Sequence, residues 1–375
     1  MLIYLVVFFG SALLFWLAEK TKKKYTRNIL VTIAILLPAI LAGVRDSSVG
    51  TDVMVYGKKN YEVALSASSF KVYFSNYATS FMSEPLYHIL VYGLTRIFDD
   101  YHWGLFFYQL IPLVVIYLGA KRYQKIFGIK IWLFMVLYYL TLYNVSLNLM
   151  RQLIGVAFVF WATSFLFEKR YKEYFIVLVA GFGFHSSAII GFAFLPMLML
   201  LQEGRKITFT KQCLQGVSFL GILFVVLSVG SKVIEFLVAN NILRKNYLNY
   251  LSGGSFESYT VSGLTVLIYF IYFMLYSFHY KLLSKRKIQS LFFLFISLIV
   301  LIAPFGQLIS TYLSRIVYYF IPLQMVSMAN ILSCYRKDSK KVWIVLILLI
   351  TVIVWYINYV LRGYNETVPY ISMFS

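Results

Sequence analysis

Leu2-Ile-Tyr-Leu-Val-Val-Phe-Phe-Gly-Ser-Ala-Leu-Leu-Phe-Trp-Leu-Ala18, followed at once by Glu19-Lys20-Thr-Lys22-Lys23-Lys24, decides what kind of chain this is. No residue from 2 to 18 is charged, and four lysines follow. A helix crosses the hydrocarbon of a bilayer in roughly 20 apolar residues. The Met-Leu-Ile-Tyr start lacks the basic n-region of a secretory signal. The run is therefore read as a retained first span with its N-terminus outside.

The same alternation repeats along the chain. Of 375 residues, 61% are hydrophobic and 13% charged, against about 25% charged in a soluble domain. Tyr (32) and Phe (34) are abundant, and Tyr suits a membrane interface because its ring is buried while its hydroxyl stays wet. The net charge of +20 would suggest nucleic acid in a soluble protein. Here the basic residues sit in short clusters between apolar runs, so they are topogenic and no nucleic-acid partner is expected.

Spans are expected near 2–18, 28–44, 103–119, 131–147, 150–167, 174–185, 186–202, 213–231, 261–280, 288–305, 315–333 and 342–360. The loops at 19–27, 120–130, 168–173, 203–211, 281–287 and 335–341 hold 23 of the 34 Lys and Arg. Placing these loops inside orients all twelve spans without a violation. The apolar stretch at 85–98 would break the alternation if it crossed, so it is expected to be re-entrant or interfacial on the outer side. The sequence thus predicts an all-α, polytopic membrane protein of about 12 helices in a single integral domain, 1–375. Its longer outer segments are 45–102, 232–260, 306–314 and 361–375. No internal repeat is detected. Cys213 and Cys334 fall near inner ends of spans, with no disulfide or metal role expected.

Polar residues at the outer ends need an explanation, since a charge near a membrane centre is costly and usually marks function. Arg151, in Asn148-Leu-Met-Arg151-Gln152, lies at the turn between two apolar helices; a snorkelling interface Arg is the plainer alternative. Gly43-Val-Arg45-Asp46 leads into Val49-Gly50-Thr51-Asp52 and Tyr56. Arg45 offers a planar fork suited to phosphate and Asp52 a carboxylate for base chemistry, or Arg45 and Asp46 pair to cap a helix end. Glu84-Pro85-Leu86-Tyr87 opens the short apolar stretch, with Glu84 either a helix cap or a general base. Phe184-His185-Ser186-Ser187-Ala188 presents an imidazole for acid–base work or a structural histidine. Arg315, in Thr311-Tyr312-Leu-Ser314-Arg315, opens the span at 315–333 as a topological anchor or as a site residue. Asp99-Asp100 reads as a solvated turn in preference to a cation site, and Glu235 and Glu257 as solvated. There is no P-loop, His-Glu-x-x-His, Cys-x-x-Cys, Gly-x-Ser-x-Gly or Asp-x-Asp. Metal, ATP and flavin dependence therefore lack support, and no cofactor is expected.

Taken in order, Gly43-x-Arg45-Asp46, Val49-Gly50-Thr51-Asp52-x-x-x-Tyr56, Glu84-Pro85-x-Tyr87, Asn148-x-x-Arg151-Gln152, Phe184-His185-x-Ser187-Ala188 and the tail from Asn365 to Val368-Pro369-Tyr370 resemble the EpsG family. The resemblance covers nearly the whole chain; 232–260 matches nothing in it, which leaves the acceptor open. It implies a role in bacterial exopolysaccharide, capsule or O-antigen biosynthesis, as a Wzy-type polymerase of GT-C-like architecture. The implied site lies on the non-cytoplasmic side of the bacterial cytoplasmic membrane. The implied partners are undecaprenyl-diphosphate-linked oligosaccharide, membrane lipid, and flippase and chain-length regulator proteins. Arg45, Arg151 and Arg315 would grip the diphosphate. Asp52, Glu84 and His185 are the base candidates, with Asp52 favoured and His185 positioning the acceptor or sharing the proton. Asp46, Thr51, Tyr56, Asn148, Gln152 and Ser186 would support them. A lipid-linked oligosaccharide flippase, a glycan ligase, a membrane acyltransferase and a structural assembly partner are the rivals.

Overall fold

A computed structural model describes residues 1–76, 84–201, 263–285, 289–308 and 315–375, with scattered positions between 208 and 240. The span expected at 213–231 and the outer segment 232–260 fall largely or wholly outside the described residues. The same holds for the loop at 203–211 and for much of 306–314. Among the described residues there is no β-strand, only one isolated bridge between Arg45 and Ser372. Among the same residues six helices are long and apolar enough to cross a membrane, as in an all-α membrane protein. Shorter apolar helices are Met150–Leu166, Ser186–Leu200, Ser290–Phe305 and Ile321–Ile331.

The chain divides into two compact units. The first comprises Met1–Asn76, Glu84–Ile189 and Arg336–Ser375. Its helices are α1 (Leu2–Lys20), α2 (Lys24–Gly43), α3 (Lys59–Ser66), α4 (Phe70–Ser75), α5 (Pro85–Thr95) and α6 (Tyr101–Phe127). They are followed by α7 (Ile131–Tyr138), α8 (Asn144–Asn148), α9 (Met150–Leu166) and α10 (Tyr171–Phe184). A π-helical segment, Tyr139–Tyr143, joins α7 to α8 in one continuous apolar rod, Ile131–Asn148. α1 packs on α2, α2 on α6, α6 on α9 and α9 on α10, while α7 lies on α1; α1 and α2, and α9 and α10, are joined by short turns and run antiparallel, whereas α6 and α9 both run toward the basic end. Proline is tolerated within α2 (Pro38) and α6 (Pro112), as membrane helices allow when neighbours satisfy the freed backbone groups.

This arrangement collects like ends. The basic turns at 19–27, 120–130 and 168–173 share one end of this unit. There the Glu19 carboxylate accepts from Gln124 Nε2 (2.8 Å) and from the Ile131 N–H (2.8 Å), which places an anion at the N-terminus of α7. Arg122 pairs with Glu168 at the same end. The opposite end carries the C-terminus of α2, the α8–α9 break and the C-terminus of α10. It also carries the short helices α3, α4 and α5. With 11 residues, α5 is about 16 Å long, little more than half of the hydrocarbon thickness.

The last helix of the first unit, which we number α15 (Lys337–Trp355), continues through a π-helical turn, Tyr356–Leu361. It packs against the 139–143 segment, and Trp355 Nε1–H donates to Asn144 Oδ1 (2.8 Å). In the second unit, α11 (Phe194–Leu200) precedes α12 (Gly263–Lys285), α13 (Ser290–Ile302) and α14 (Ile321–Ile331). There α12 packs on α13, and both pack on α14. Every residue of α14 is buried.

Candidate active site

The charged residues at the non-basic end of the first unit separate into two groups. The first is built around Glu84. This residue occupies the N-cap position of α5, yet its side chain does not cap that helix. Its backbone is in the left-handed region at φ 51°, which costs a non-glycine residue of order 1–3 kcal/mol. The carboxylate, 7% exposed, turns away toward two cation-forming side chains from other helices. Arg151 Nη1–H donates to Oε2 at 2.6 Å. His185 Nδ1 meets Oε1 at 2.5 Å, and the Ser186 N–H donates to the same oxygen at 3.3 Å.

Each partner is delivered by a helix end. Arg151 stands in the first turn of α9, just after the break at Leu149 (φ −78°, ψ 47°). His185 is the extended residue that terminates α10 (φ −155°, ψ 125°), and Ser186 opens the following 3₁₀ segment, Ser186–Ala193. Burial, the largest single influence on Glu84, pushes its pKa up. Arg151 first and His185 next more than reverse it, and the carboxyl is held down at about 2. Glu84 is accordingly an anion at any working pH, so His185 Nδ1 is the donor in their hydrogen bond. His185 Nε2 has no hydrogen-bond partner among the described residues. The Arg151 guanidinium also lies near the rings of Tyr56 (5.8 Å) and Tyr87 (5.4 Å), where a cation gains from the aromatic faces.

The second group is a knot between the 43–51 loop, the α8–α9 break and the C-terminal tail. Asn148 Nδ2–H donates to Thr51 Oγ1 (3.2 Å) and to the Asn365 carbonyl (3.0 Å). The Gly50 N–H donates to the Glu366 carbonyl (3.0 Å). Gly50 has φ 103°, and a Cβ there would sit 2.4 Å from Asn148 Oδ1, so only glycine fits. Asp46 accepts from the Ser48 N–H (2.9 Å) and Oγ–H (2.7 Å). These bonds lower its pKa and occupy its carboxylate in a local turn.

Arg45, read from sequence as a phosphate ligand, is 1% exposed. It donates through Nη2 to the Leu147 carbonyl (2.9 Å), at the carbonyl end of the 131–148 rod. Asp52 is half-buried at the N-cap of the π-helical turn Val53–Lys58 that also carries Tyr56. Gln152 is buried beside Arg151. Arg315 heads the 3₁₀ turn Ile316–Tyr319 in the second unit and is half-buried. The structure therefore brings together Glu84, Arg151, His185, Ser186 and Tyr56, and gathers Arg45, Asp46, Thr51 and Asn148 into the knot. Sequence reasoning passed over two neighbours. Tyr87 was quoted only as part of a motif. His88, one turn after Glu84 on α5, is buried with Nδ1 2.8 Å from the Tyr73 hydroxyl; its four-residue spacing from Glu84 was the available signal.

With Glu84, Arg151 and His185 joined across the bundle, the motif order has a structural basis. The EpsG family model matches residues 28–372. This chain belongs to the EpsG family. The match takes in both groups of residues and the tail through Ser372. EpsG membership gives the chain a polymerase-type role in polysaccharide biosynthesis, of glycosyltransferase character. No curated protein and no solved structure matches it.

Proposed function

We propose that this EpsG-family chain joins polyprenyl-diphosphate-linked oligosaccharide repeat units, undecaprenyl being the expected lipid, at the non-cytoplasmic face of the cytoplasmic membrane. The observation that carries the reading is the Glu84 carboxylate clamped between Arg151 and His185 at the end of the bundle opposite the basic loops. By the positive-inside rule that end is outside. A twelve-span, GT-C-like arrangement is the architecture this reading assumes.

In this mechanism the acceptor sugar hydroxyl gives its proton to His185 Nε2. Its oxygen forms the bond to the donor's anomeric carbon, and the bond from that carbon to the diphosphate oxygen breaks. The lipid diphosphate leaves with the electron pair. Glu84 holds the imidazole through Nδ1–H, keeps Nε2 free to accept, and stabilises the imidazolium that forms. The Arg151 guanidinium meets the departing phosphate oxygens. This assigns the base to His185 in place of Asp52, because a carboxylate orients the imidazole while Glu84 itself is too acidic to take a proton.

The test is direct. Purified protein is incubated with lipid-linked repeat units alone, and products are sized on a gel. A ladder is the expected result. Relocation of the substrate without lengthening identifies a transporter, and lengthening only after an unrelated acceptor is added identifies a ligase; either result rejects the polymerase reading.

A further inference from the structure

The second unit buries two amide side chains that bond to nothing around them. Gln324 and Asn330 stand on α14, 0% and 1% exposed. In both, the nitrogen and the oxygen lack a hydrogen-bond partner among the described residues. Each amide offers two donor hydrogens and an acceptor oxygen, so exchanging N and O relieves neither. Buried polar groups are satisfied with few exceptions. The rule is stricter in hydrocarbon, where no bulk water can step in. Two unanswered amides on one 11-residue helix therefore call for a ligand.

Their spacing locates that ligand. Gln324, Ser327 and Asn330 recur every third residue, which lines them along one side of α14 over about 9 Å. Ser327 stands between the amides, and its Oγ lies 3.5 Å from Ser297 Oγ on α13. The stripe thus follows the seam where α14 packs on α13. Ser327 Oγ–H donates to the Gln324 carbonyl (2.6 Å), so its oxygen keeps acceptor capacity. Neither helix carries a charged residue. The seam has donors and acceptors without charge. It suits a neutral ligand that both donates and accepts, as a hydroxyl group does, and it offers no counter-charge to an ion.

We propose that the α13–α14 seam is a binding site for uncharged hydroxyl groups, held by the Gln324 and Asn330 amides. Water and the sugar of a lipid-linked unit carry the same group, and only the second of these sources rests on the polymerase reading. The site itself rests on the unanswered amides and uses none of the residues around Glu84.

The full-length protein carrying Cys213→Ser and Cys334→Ser is placed in nanodiscs, and single cysteines are introduced on α14. Gln324→Cys, Ser327→Cys and Asn330→Cys lie along the seam. Met325→Cys and Ala329→Cys lie on the opposite side of the helix, at positions 0% and 5% exposed. Burial alone predicts equal protection at all five. Silver ion, which is close to water in size and confined to hydrated paths, is added in chloride-free buffer. The thiols left are counted by maleimide mass after denaturation. The seam positions are expected to react about tenfold faster than the two controls, or more. Reaction slowed by added lipid-linked repeat units assigns the hydroxyls to the glycan, and reaction that they leave unchanged assigns them to water. Five equally slow positions, or five equally fast ones, overturn the proposal. Ser327→Cys changes one atom, and its comparison with Met325→Cys serves if the amide variants do not insert. Polymerisation by the parent protein is scored separately. A ladder with an unreactive seam rejects only this site, and a reactive seam without a ladder rejects only the polymerase reading.

Discussion

Glu84→Gln removes one charge and almost no volume, and the structure sets what that costs. The carboxylate serves Arg151 at 2.6 Å and His185 at 2.5 Å through separate oxygens. Glutamine keeps one acceptor oxygen, so one of the two donors must face an amide NH₂. A hydrogen bond to a charged group is worth about 1.5–3 kcal/mol. Arg151 and His185 side chains are 30% and 20% exposed, so water recovers part of the loss. A stability cost of about 2 kcal/mol is expected. Catalysis should suffer more, because the base and the phosphate-binding cation both lose their common reference point. A cost of about 3–4 kcal/mol in the transition state is a fall of roughly 10²- to 10³-fold in rate. The assay is the rate of ladder formation from purified lipid-linked units, with detergent-extracted yield and thermal aggregation as controls for folding. A variant that folds and polymerises at the parental rate would falsify the role given to this cluster.

Other outcomes follow from the same geometry. Arg151→Lys keeps the charge but loses the fork and the flat contacts with Tyr56 and Tyr87; roughly tenfold or greater loss of activity is expected with normal insertion, and parental chain lengths would remove Arg151 from diphosphate binding. The pH dependence of stability separates Glu84 from other acids: a carboxyl lowered from 4.5 to about 2 contributes fully above its ordinary value and loses that contribution as pH falls through 2. The difference in thermal stability between parent and Glu84→Gln should therefore be flat from pH 5 to 8 and shrink below about pH 4, whereas a difference that vanishes near pH 6 contradicts the assignment. Gly50→Ala drives a Cβ to 2.4 Å from Asn148 Oδ1 at φ 103°; a destabilisation of about 2 kcal/mol or more is expected, read as an earlier aggregation temperature. Chelators should leave polymerisation intact, because Asp100 already accepts from the His102 N–H (2.9 Å) and lies 2.7 Å from its Nδ1; activity lost to chelation and restored by magnesium would place a cation there.

Much of the scaffold was legible in the sequence because two physical signals write it directly. Apolar length marks the helices, and clustered Lys and Arg mark which ends lie together. That is why Glu84, Arg151 and His185 could be expected on the same outer side before any contact was visible. The lateral arrangement is not written in this way. Glu84 lies 67 residues from Arg151 and 101 from His185, and depth alone does not say which helix ends are neighbours. Glu84 illustrates the difference: its position before Pro85 correctly predicted a helix start, but the carboxylate serves a distant arginine and histidine. Arg45 illustrates it from the other side. An arginine after Gly43 reads as a fork for phosphate or as half of a pair with Asp46, and only the folded chain shows it buried against the Leu147 carbonyl, 102 residues away.

The arrangement around Glu84 also explains why a carboxylate belongs between an arginine and a histidine in this chemistry. The proposed mechanism starts with Glu84 ionised and His185 neutral, so that the three side chains sum to zero charge, which a half-buried site tolerates at little cost. Under the proposed mechanism, proton transfer to Nε2 changes that sum to +1 in the same step that sends the diphosphate away as an anion. The positive charge appears when the leaving group needs it and is absent beforehand, so it stabilises the transition state more than bound substrate. An arginine alone would attract donor and product alike. A histidine alone would lack a fixed orientation. Glu84 supplies the orientation and lowers the resting charge, which is why this buried carboxylate, and not the more exposed Asp52, is the residue on which the site depends.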